Sequence, residues 1–582
     1  MWQREDVDRR TLGDWTFALR GDEVADLRRS GRRVLRSIRA VVRDQDWNTA
    51  TLLVDRVRAT DASLTLHVRS SGLGSSFRGI VRIELRGDRL VVLTDLESER
   101  EFATNRTGIV VLHPPQSAGA ALEVEHADGT TSHTAFPTTI SPHQPVRDIA
   151  RLAWNDDGVA VAVAFEGDVF EMEDQRNWTD ASYKTYSRPL SLPFPYRVLS
   201  GERVVQSITV TADVAREPRP VPPVDRIDLR AGGPFPTIGT GASTAPDPAP
   251  AVTPLGECLL VELDLGWAGW PAALARARVS GLPLDVRLVL PDADGAAAVA
   301  TAAAALRGLH VRRLAAFQPT GPARHMSDAT ATALLREAVA KADLSAPIIG
   351  GARSHFTELN REQRRLPRDL DGVVFAVTPL FHSRDTEQLV ESLAVQRLVA
   401  AQAVRIAGAV PVHVGPVTLR PHFNDVATTG PPRPQHEDLR AGYGPELEDA
   451  YDERQAADEL AAWTVASAAA LAVPGVASLS FFEEWGPRGL RDSDGVDRPV
   501  AAAFAALAGL DGTTLLHGQS PDGLVWALGG RHEDGTATAL VANLDTDGRT
   551  LRIVAGDGHA GIHLGPSTWL SVPLGTVAPG AI

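Results

Sequence analysis

From about residue 259 onward, short apolar strands alternate with segments of helix length, and this alternation constrains the fold more than any other feature. The strands are predominantly apolar, rich in Val, Leu, Ile and Ala, with a few charged residues among them. Such strands, separated by helices, are typical of a parallel sheet that is buried on both faces. The number of repeats and the span of roughly 250 residues favour a (β/α)8 barrel over an open sheet.

Seven barrel strands and most of their helices can be placed. The predicted strands are 259–265, 284–290, 311–317, 347–350, 372–377, 410–414 and 477–482, and the predicted helices are 270–279, 295–306, 327–342, 385–407 and 451–472. The eighth strand is expected within residues 417–421. We therefore predict a catalytic barrel over residues 257–510.

The remaining segments predict β-structure on both sides of the barrel. Residues 1–212 hold many short segments of period two with turns between them, which indicates a large all-β sandwich. Residues 213–256 contain ten prolines and predict an extended inter-domain connector. Residues 511–582 return to short strands and predict a small C-terminal β-sandwich. The fold class is thus multidomain, α/β plus all-β.

Composition excludes several classes of function. The net charge of −15 argues against a nucleic-acid or anionic-membrane partner. No stretch approaches the ~18 apolar residues of a membrane helix. The single cysteine, Cys258, allows no internal disulfide and no Cys-based zinc site. Because the first residues lack an apolar signal segment, we expect a cytoplasmic protein that acts on a small molecule. The oligomeric state stays open.

Polar side chains follow four of the predicted barrel strands, where the function of a barrel lies. The candidate residues at these strand ends are Glu358, Asn360, His382, Arg420, His422 and Glu483. Two carboxylates on different strands can divide acid and base roles. His355, His382, His422 and Asp425 could together bind a divalent metal. Histidines at barrel mouths more often orient substrate, so no metal or other cofactor is assigned.

One segment of the predicted sandwich has the composition of a sugar site. Residues 170–186 contain four carboxylates, two cations, two amides and four aromatic rings. A charged hairpin with aromatics folded onto the core would have the same composition. We predict that residues 173–186 cross the domain interface and cover the barrel mouth. The side chains expected to contact sugar hydroxyls are Asp174, Asn177, Trp178, Asp180 and Lys184.

These segments resemble a known family, the D-apionate lactonases. The resemblance lies in residues 356–361, 416–421 and 482–489 of the barrel and in residues 105–108, 112–114 and 173–186 before it. It runs from about residue 15 to residue 509. It implies a mutarotase-like sandwich, a barrel similar to those of glycoside hydrolases, and hydrolysis of a branched-sugar aldonolactone to the open acid. The sequence departs from the family pattern at Trp485 and Gly486, which leaves the sugar open.

A two-carboxylate mechanism follows as a hypothesis. Glu358 is the predicted base that activates water, and Glu483 is the acid for the departing ring alkoxide, although these roles could be reversed. The predicted supporting roles are polarisation of the carbonyl by Arg420 and His382, and orientation of carboxylates or hydroxyls by Asn360 and His422.

Three alternatives remain open at this point. A retaining glycoside hydrolase could use the same Glu pair, with the two carboxylates ~5–5.5 Å apart. Such barrels usually place Asn-Glu at the fourth strand, whereas here Thr357 precedes Glu358. A metal-dependent lactonase is the second alternative. A binding protein without activity is the third, and the crowd of polar groups at the strand ends argues against it.

Overall fold

In the computed structural model, which describes residues 2, 7–215, 225–430, 433–444 and 451–577, the first domain is a curled antiparallel sheet of 17 strands with a separate two-stranded pair. Buried and exposed side chains alternate along strands such as Val159–Glu166, so one face of the sheet supplies the core. The predicted all-β first domain is confirmed. Its strands are β1 (Asp8–Leu12), β2 (Trp15–Arg20), β3 (Glu23–Arg29), β4 (Arg32–Arg43), β5 (Thr49–Ala50), β6 (Leu52–Ala59), β7 (Ser63–Gly72), β8 (Ser75–Arg86), β9 (Arg89–Ser98), β10 (Phe102–Thr104), β11 (Arg106–His113), β12 (Ala121–His126), β13 (Thr131–Ala135), β14 (Val146–Asp156), β15 (Val159–Glu166), β16 (Phe170–Asp174), β17 (Tyr183–Ser187), β18 (Tyr196–Val198) and β19 (Arg203–Val214).

The Pro-rich stretch contains three strands. β20 (Arg226–Asp228) and β21 (Arg230–Pro234) each join a sheet of the C-terminal domain, and β22 (Thr237–Gly241) joins the barrel. The prediction of an extended connector over 213–256 is therefore wrong for these residues. The rest of that segment includes residues 216–224, which lie outside the described part of the chain.

Eight parallel strands form the barrel, and a parallel bridge between Leu314 and Ile348 joins its two ends. The strands are β22, β23 (Leu259–Asp264), β24 (Leu284–Val289), β25 (Val311–Phe317), β26 (Gly350–Gly351), β27 (Val373–Val377), β28 (Val412–Val417) and β29 (Val476–Trp485). The seven predicted strands are all present. The predicted eighth strand at 417–421 is wrong, because the missing strand is β22, which comes first in the chain.

Two glycines explain why β22 escapes sequence reasoning. A Cβ on Gly239 would come within 2.7 Å of the Cys258 carbonyl oxygen, and one on Gly241 within 2.8 Å of the Phe482 carbonyl oxygen. Only glycine permits such a close approach of neighbouring strands, yet glycine beside proline is the usual signature of a turn.

Seven helices of the described residues belong to the barrel region. They are α1 (Trp270–Ala277), α2 (Gly295–Ala305), α3 (Ala329–Lys341), α4 (Phe356–Glu362), α5 (Thr386–Ala407), α6 (Glu459–Leu471) and α7 (Pro499–Ala508). α4 is a short helix that follows β26 directly, so Glu358 and Asn360 lie on a helix rather than on a strand end. The predicted helix 451–472 begins only at Glu459. None of the described helices combines the length and apolarity needed to cross a membrane.

The C-terminal domain consists of two small sheets. Its strands are β31 (Thr514–Gln519), β32 (Val525–Arg531), β33 (Thr536–Asn543), β34 (Arg549–Ala555), β35 (Gly558–Leu564) and β36 (Thr568–Thr576), and β30 (Gly489–Arg491) pairs with β29 in the barrel. β20 and β21 complete its two sheets as edge strands. The predicted C-terminal β domain is confirmed, with the addition of strands from the Pro-rich stretch.

Candidate active site

A cavity of about 240 Å³ lies at the C-terminal end of the barrel strands. Pockets for drug-sized ligands measure about 300–1,000 Å³, so this volume suits a single sugar unit rather than a chain of sugars. Of the predicted barrel residues, Glu483 and His422 line the cavity. Glu358, Asn360, His382 and Arg420 lie outside its lining.

Glu483 is held at the end of β29 by protein donors. Its Oε1 accepts from Arg488 Nη2 at 2.7 Å and from Thr244 Oγ1 at 2.9 Å, and its Oε2 accepts from the Thr244 amide at 3.1 Å. Phe482, just before it, has φ +52, a strained conformation for a bulky residue of the kind that clusters at functional sites. This geometry makes Glu483 an oriented acceptor, so the predicted role as proton donor is not the one it favours.

A second carboxylate in the lining, Glu262 at the end of β23, is paired with Arg353. Arg353 Nε donates to Glu262 Oε2 at 3.0 Å, and Arg353 Nη1 donates to His325 Nδ1 at 2.9 Å. Burial and the Arg353 charge lower the pKa of His325 well below its usual value, which keeps this ring neutral. Two of the lining carboxylates, Glu483 and Glu262, are thus each fixed by an arginine of their own, while Asp264 and Asp292 share Arg433.

Two lining side chains have buried polar atoms without a partner among the described residues. They are Arg488, at Nε and Nη1, and His422, at Nε2. Burial, followed by the charges of Arg488 and Arg353, lowers the pKa of His422 well below its usual value, so its imidazole is neutral. Buried donors without partners cost stability, and a ligand that accepts from them removes that cost.

An aromatic pair forms part of the cavity wall. The rings of Trp267 and Tyr443 stack with centroids 5.5 Å apart and planes 16° apart. Trp267 Nε1 donates to the His436 carbonyl at 2.7 Å, which fixes the indole. A fixed aromatic surface beside carboxylates and cations suits a ligand with both C–H faces and hydroxyls.

A hydrogen-bonded row of three side chains connects the ends of three successive strands. His355 follows β26, Thr378 follows β27, and Asp425 lies in the loop after β28. His355 Nδ1 donates to Asp425 Oδ2 at 2.8 Å, and His355 Nε2 is hydrogen bonded to Thr378 Oγ1. Although burial opposes it, the charge of Asp425 raises the pKa of His355. His355 and Thr378 both line the cavity.

Glu358 stands behind this row. Its Oε2 accepts from Ser354 Oγ at 2.6 Å, and its carboxylate lies within 4.8 Å of ligand atoms of both His355 and Asp425. Burial, then the negative charge of Asp425, raises the pKa of Glu358 to about 7. Asp425 Oδ1 has no conventional donor among the described residues, and a protonated Glu358 would supply one. Glu358 is therefore placed to share a proton with Asp425 and does not line the cavity.

Only part of the predicted metal set comes together. His355 and Asp425 are adjacent and are joined by Glu358, whereas His382 is bonded to Asp180 and His422 lies apart from them. Both ring nitrogens of His355 are already in hydrogen bonds to protein groups. The hydrogen bonds of His355, Glu358 and Asp425 allow the cluster to share a proton.

The segment 173–186 crosses the domain interface as predicted. Thr357 Oγ1 donates to the Asn177 carbonyl at 3.0 Å, and the Trp178 ring stacks on Phe381 at 6.1 Å, which in turn contacts His355 edge-on at 4.7 Å. However, none of its residues lines the cavity. The segment supports the cavity wall from behind instead of covering the mouth.

The prediction that this segment contacts the sugar gains no support from this cavity, because the side chains of the segment are bonded to the protein. Its pairings are Asp174 with Arg176 at 2.7 Å, Asp180 with His382 at 2.7 Å, Lys184 with Glu173 at 2.5 Å, and Asn177 with Asn360 at 2.9 Å, while the Trp178 ring is buried. Asn360 is also bonded to Ile140 and Gln402, and Arg420 donates to the Tyr451 carbonyl at 2.7 Å. The roles of Asn360, His382 and Arg420 at the substrate stay predictions, and their hydrogen bonds to the protein favour structural roles.

Sequence reasoning missed several lining residues. These are Thr244, Glu262, Trp267, Arg353, Thr378, Tyr443 and Arg488. Glu262 lies inside the predicted strand 259–265, two residues before the end of β23, so the rule that function lies at strand ends does not select it. No signal pointed to Thr244, because β22 was not recognised.

A closed (β/α)8 barrel with a small polar cavity, paired carboxylates and an Asp–His–hydroxyl row at the C-terminal end of its strands defines an enzyme for small hydrophilic substrates. The chain belongs to the D-apionate lactonase family. Sequence models described as "D-apionate lactonase, N-terminal domain" and "D-apionate lactonase, TIM barrel domain" match residues 2–215 and 243–512. The chain is also 28% identical to a D-apionate lactonase of Brucella anthropi over 522 residues, 83% of this chain and 84% of that protein. It is accordingly a lactone hydrolase.

Solved structures resemble it more distantly. SrfJ from Salmonella typhimurium has a TM-score of 0.39 at 11% identity and matches 62% of this chain and 95% of its own. A GH30 endoxylanase from Clostridium papyrosolvens has a TM-score of 0.40 at 9% identity and matches 60% and 99%. A putative aldose 1-epimerase from Escherichia coli has a TM-score of 0.25 at 11% identity and matches 36% and 99%. Likenesses this weak do not bear on the reaction.

Proposed function

We infer that the protein opens a sugar-derived aldonolactone, similar to the lactone of D-apionate, to the open-chain aldonic acid in carbohydrate catabolism. Such a substrate is a five- or six-membered ring with hydroxyls and one ester carbonyl. The cavity volume of about 240 Å³ and the Trp267–Tyr443 stack beside two carboxylates fit one such ring.

The observation that carries this proposal is the arrangement of Arg488. Its Nη2 is committed to Glu483, while its Nε and Nη1 have no partner among the described residues. A lactone carbonyl gains negative charge as it is attacked, and cationic donors fixed in a buried site stabilise that charge. Glu483 holds the guanidinium in place and also offers an acceptor to substrate hydroxyls.

The base that we assign is His355 rather than Glu358. A carboxylate can only accept, so Asp425 holds the Nδ1 proton and leaves Nε2 of the neutral ring as an acceptor on the cavity side. In this position His355 takes the proton of the attacking group and later gives it to the departing ring oxygen.

The glycoside-hydrolase alternative loses its main support once the strands are counted. The fourth barrel strand is β25, which is followed by Gln318 and Pro319. Glu358 follows the fifth strand and lies outside the cavity lining, so Glu358 and Glu483 do not face one sugar across the cavity.

The test is a pH-drop assay of the purified protein over a panel of aldonolactones, beside aryl glycosides. We expect acid release from one or more lactones and none from the glycosides. Cleavage of a glycoside without lactone hydrolysis would overturn the proposal. Dialysis against EDTA should leave the activity unchanged; loss of activity with rescue by a divalent ion would instead indicate that His355, Glu358 and Asp425 hold a metal.

A further inference from the structure

We propose that the Thr378 hydroxyl is the nucleophile of this reaction and that the substrate is hydrolysed through an ester of Thr378. This inference rests on the proposed lactone substrate and deepens it. The row Asp425–His355–Thr378 places a carboxylate, an imidazole and an alcohol in the order that activates alcohols for acyl transfer. Such a constellation is recognised by its geometry and not by its order in the chain.

The position of Thr378 meets the requirements of a nucleophile. Its side chain lines the cavity together with His355, so a bound lactone and the base can contact it at once. The turn that carries it is fixed on both sides: Val377 accepts from the Thr418 amide at 3.0 Å, and the Pro379 carbonyl accepts from Gln388 Nε2 at 3.1 Å. A nucleophile held by packed elements loses little entropy in reaching the attacking geometry.

The imidazole is oriented as the reaction requires. Asp425 is buried and accepts a hydrogen bond from the Nδ1–H group of His355. The neutral His355 ring therefore presents Nε2 to the Thr378 hydroxyl. Asp425 in turn has Glu358 beside it, which can donate to its second oxygen. Glu358, Asp425 and His355 thus form a row that leads to the Thr378 hydroxyl in the cavity.

The chemical steps balance without a cofactor. The Thr378 oxygen attacks the lactone carbonyl while its proton passes to His355 Nε2. The acyl–oxygen bond of the ring breaks, and the ring oxygen takes that proton as it becomes a free hydroxyl. The product is an ester of Thr378. Water then attacks this ester, gives one proton to His355, and releases the aldonic acid as the proton returns to the Thr378 oxygen. The sum is lactone plus water to hydroxy acid.

The competing role for Thr378 is to orient His355 while water attacks the lactone directly. The variants Thr378→Val, Thr378→Ser and Thr378→Cys separate the two roles. A matched control is Thr418→Val: Thr418 is equally buried, directly follows β28, donates to the Arg420 carbonyl at 2.8 Å and lies outside the cavity lining. Melting temperature and circular dichroism establish that each variant is folded.

With the lactone that the wild-type protein hydrolyses, we expect Thr378→Val to lose about 10³-fold or more in kcat with KM within about threefold. Thr378→Ser should stay within about tenfold of wild type, and Thr418→Val within about threefold. Acid quench of Thr378→Cys with saturating lactone should give a protein heavier by the full mass of the lactone, because the ring opens without loss of atoms. Peptide mapping should place the added mass at residue 378.

Two results would overturn the inference. One is a Thr378→Val variant that keeps more than a tenth of wild-type turnover. The other is a Thr378→Ser variant that is active although neither Thr378→Ser nor Thr378→Cys carries the added mass after acid quench. This result would indicate that water attacks the lactone directly. Both leave the wild-type lactonase activity in place, whereas failure of the proposed function would appear as a wild-type protein that hydrolyses no lactone in the panel.

Discussion

Two aspartate–histidine pairs of nearly equal length occur in the part of the chain that the structure describes. His355 Nδ1 is 2.8 Å from Asp425, and His382 Nδ1 is 2.7 Å from Asp180. The pKa values of the two imidazoles are nevertheless shifted in opposite directions. Burial is outweighed at His355, whose pKa the charge of Asp425 raises. Burial prevails at His382, and the cation of Lys184 lowers its pKa further.

The surroundings of each pair explain the difference. Beside His355 are a second acidic group, Glu358, and a hydroxyl that faces the cavity. Beside His382 are aromatic rings, with Trp178 at 5.3 Å, and the Lys184 charge. The first pair can therefore gain and lose a proton beside a ligand, while the second joins the first domain to the barrel. A hydrogen bond of a given length does not by itself indicate catalysis.

The largest difference between the pairs should appear when each aspartate is replaced. Asp425→Asn removes the charge that fixes the His355 tautomer, so we expect kcat to fall by about 10³-fold or more. Asp180→Asn should change kcat less than about threefold and lower the melting temperature instead, because it weakens an inter-domain contact. Steady-state kinetics with the best lactone and thermal unfolding by circular dichroism measure both.

Equal losses of turnover in these two variants would contradict the division of roles. A folded Asp425→Asn protein with near wild-type kcat would show that His355 is not the base.

The next effect concerns substrate binding. Glu483→Gln keeps the shape of the side chain but places an amide beside Arg488, so we expect kcat/KM to fall about 10²-fold, through a lower kcat and a higher KM. The neighbouring Glu484 is a matched control: it is buried in the same strand, lies outside the cavity lining, and burial raises its pKa to about 7. Glu484→Gln should change kcat/KM less than about threefold. A larger effect from Glu484→Gln than from Glu483→Gln would refute the assignment of Glu483 to the cavity.

The barrel was predictable because strands such as β27 are apolar on both faces and helices such as α5 are long. β22 was not predictable from the sequence. Its two glycines and the nearby prolines have the composition of a turn, whereas the close approach of β23 and β29 requires a strand with glycines at these positions. Counting the strands wrongly by one also placed Glu358 after the fourth strand.

The site was predictable only as a region. Glu483 and His422 were found because they follow strands, but whether a polar side chain points into the cavity or into a domain interface depends on contacts hundreds of residues apart. Asn360 illustrates this, because its amide is bonded to Asn177, 183 residues earlier. The pairing of Asp425 with His355 across 70 residues is of the same kind.

A smaller effect separates the two roles considered for Glu358. If Glu358 were the base, Glu358→Gln would lower kcat by roughly two decades. If the side chain instead donates to Asp425, as its position allows, glutamine can replace it, and we expect kcat within about threefold of wild type. Glu358→Ala leaves Asp425 Oδ1 without a donor and should lose about tenfold. Kinetics of the two variants at pH 6.5 decide, and a loss in Glu358→Gln that equals that in Glu358→Ala would restore Glu358 as the base.

The smallest expected effect is on the thermal stability of the protein, and it depends on the proton that Glu358 carries. The pKa of Glu358 is raised from 4.5 to about 7, so folding favours its protonated form. This contribution is fully present below pH 4.5 and is lost as the pH rises through about 7. Glutamine does not titrate, so the melting temperature of wild type minus that of Glu358→Gln should fall by about 1–3 °C between pH 5 and pH 8. Glu484, whose pKa is also raised, titrates equally in both proteins and cancels in the difference. A difference that stays constant over this range would mean that Glu358 is already ionised at pH 5, and Asp425 would then need a donor other than Glu358.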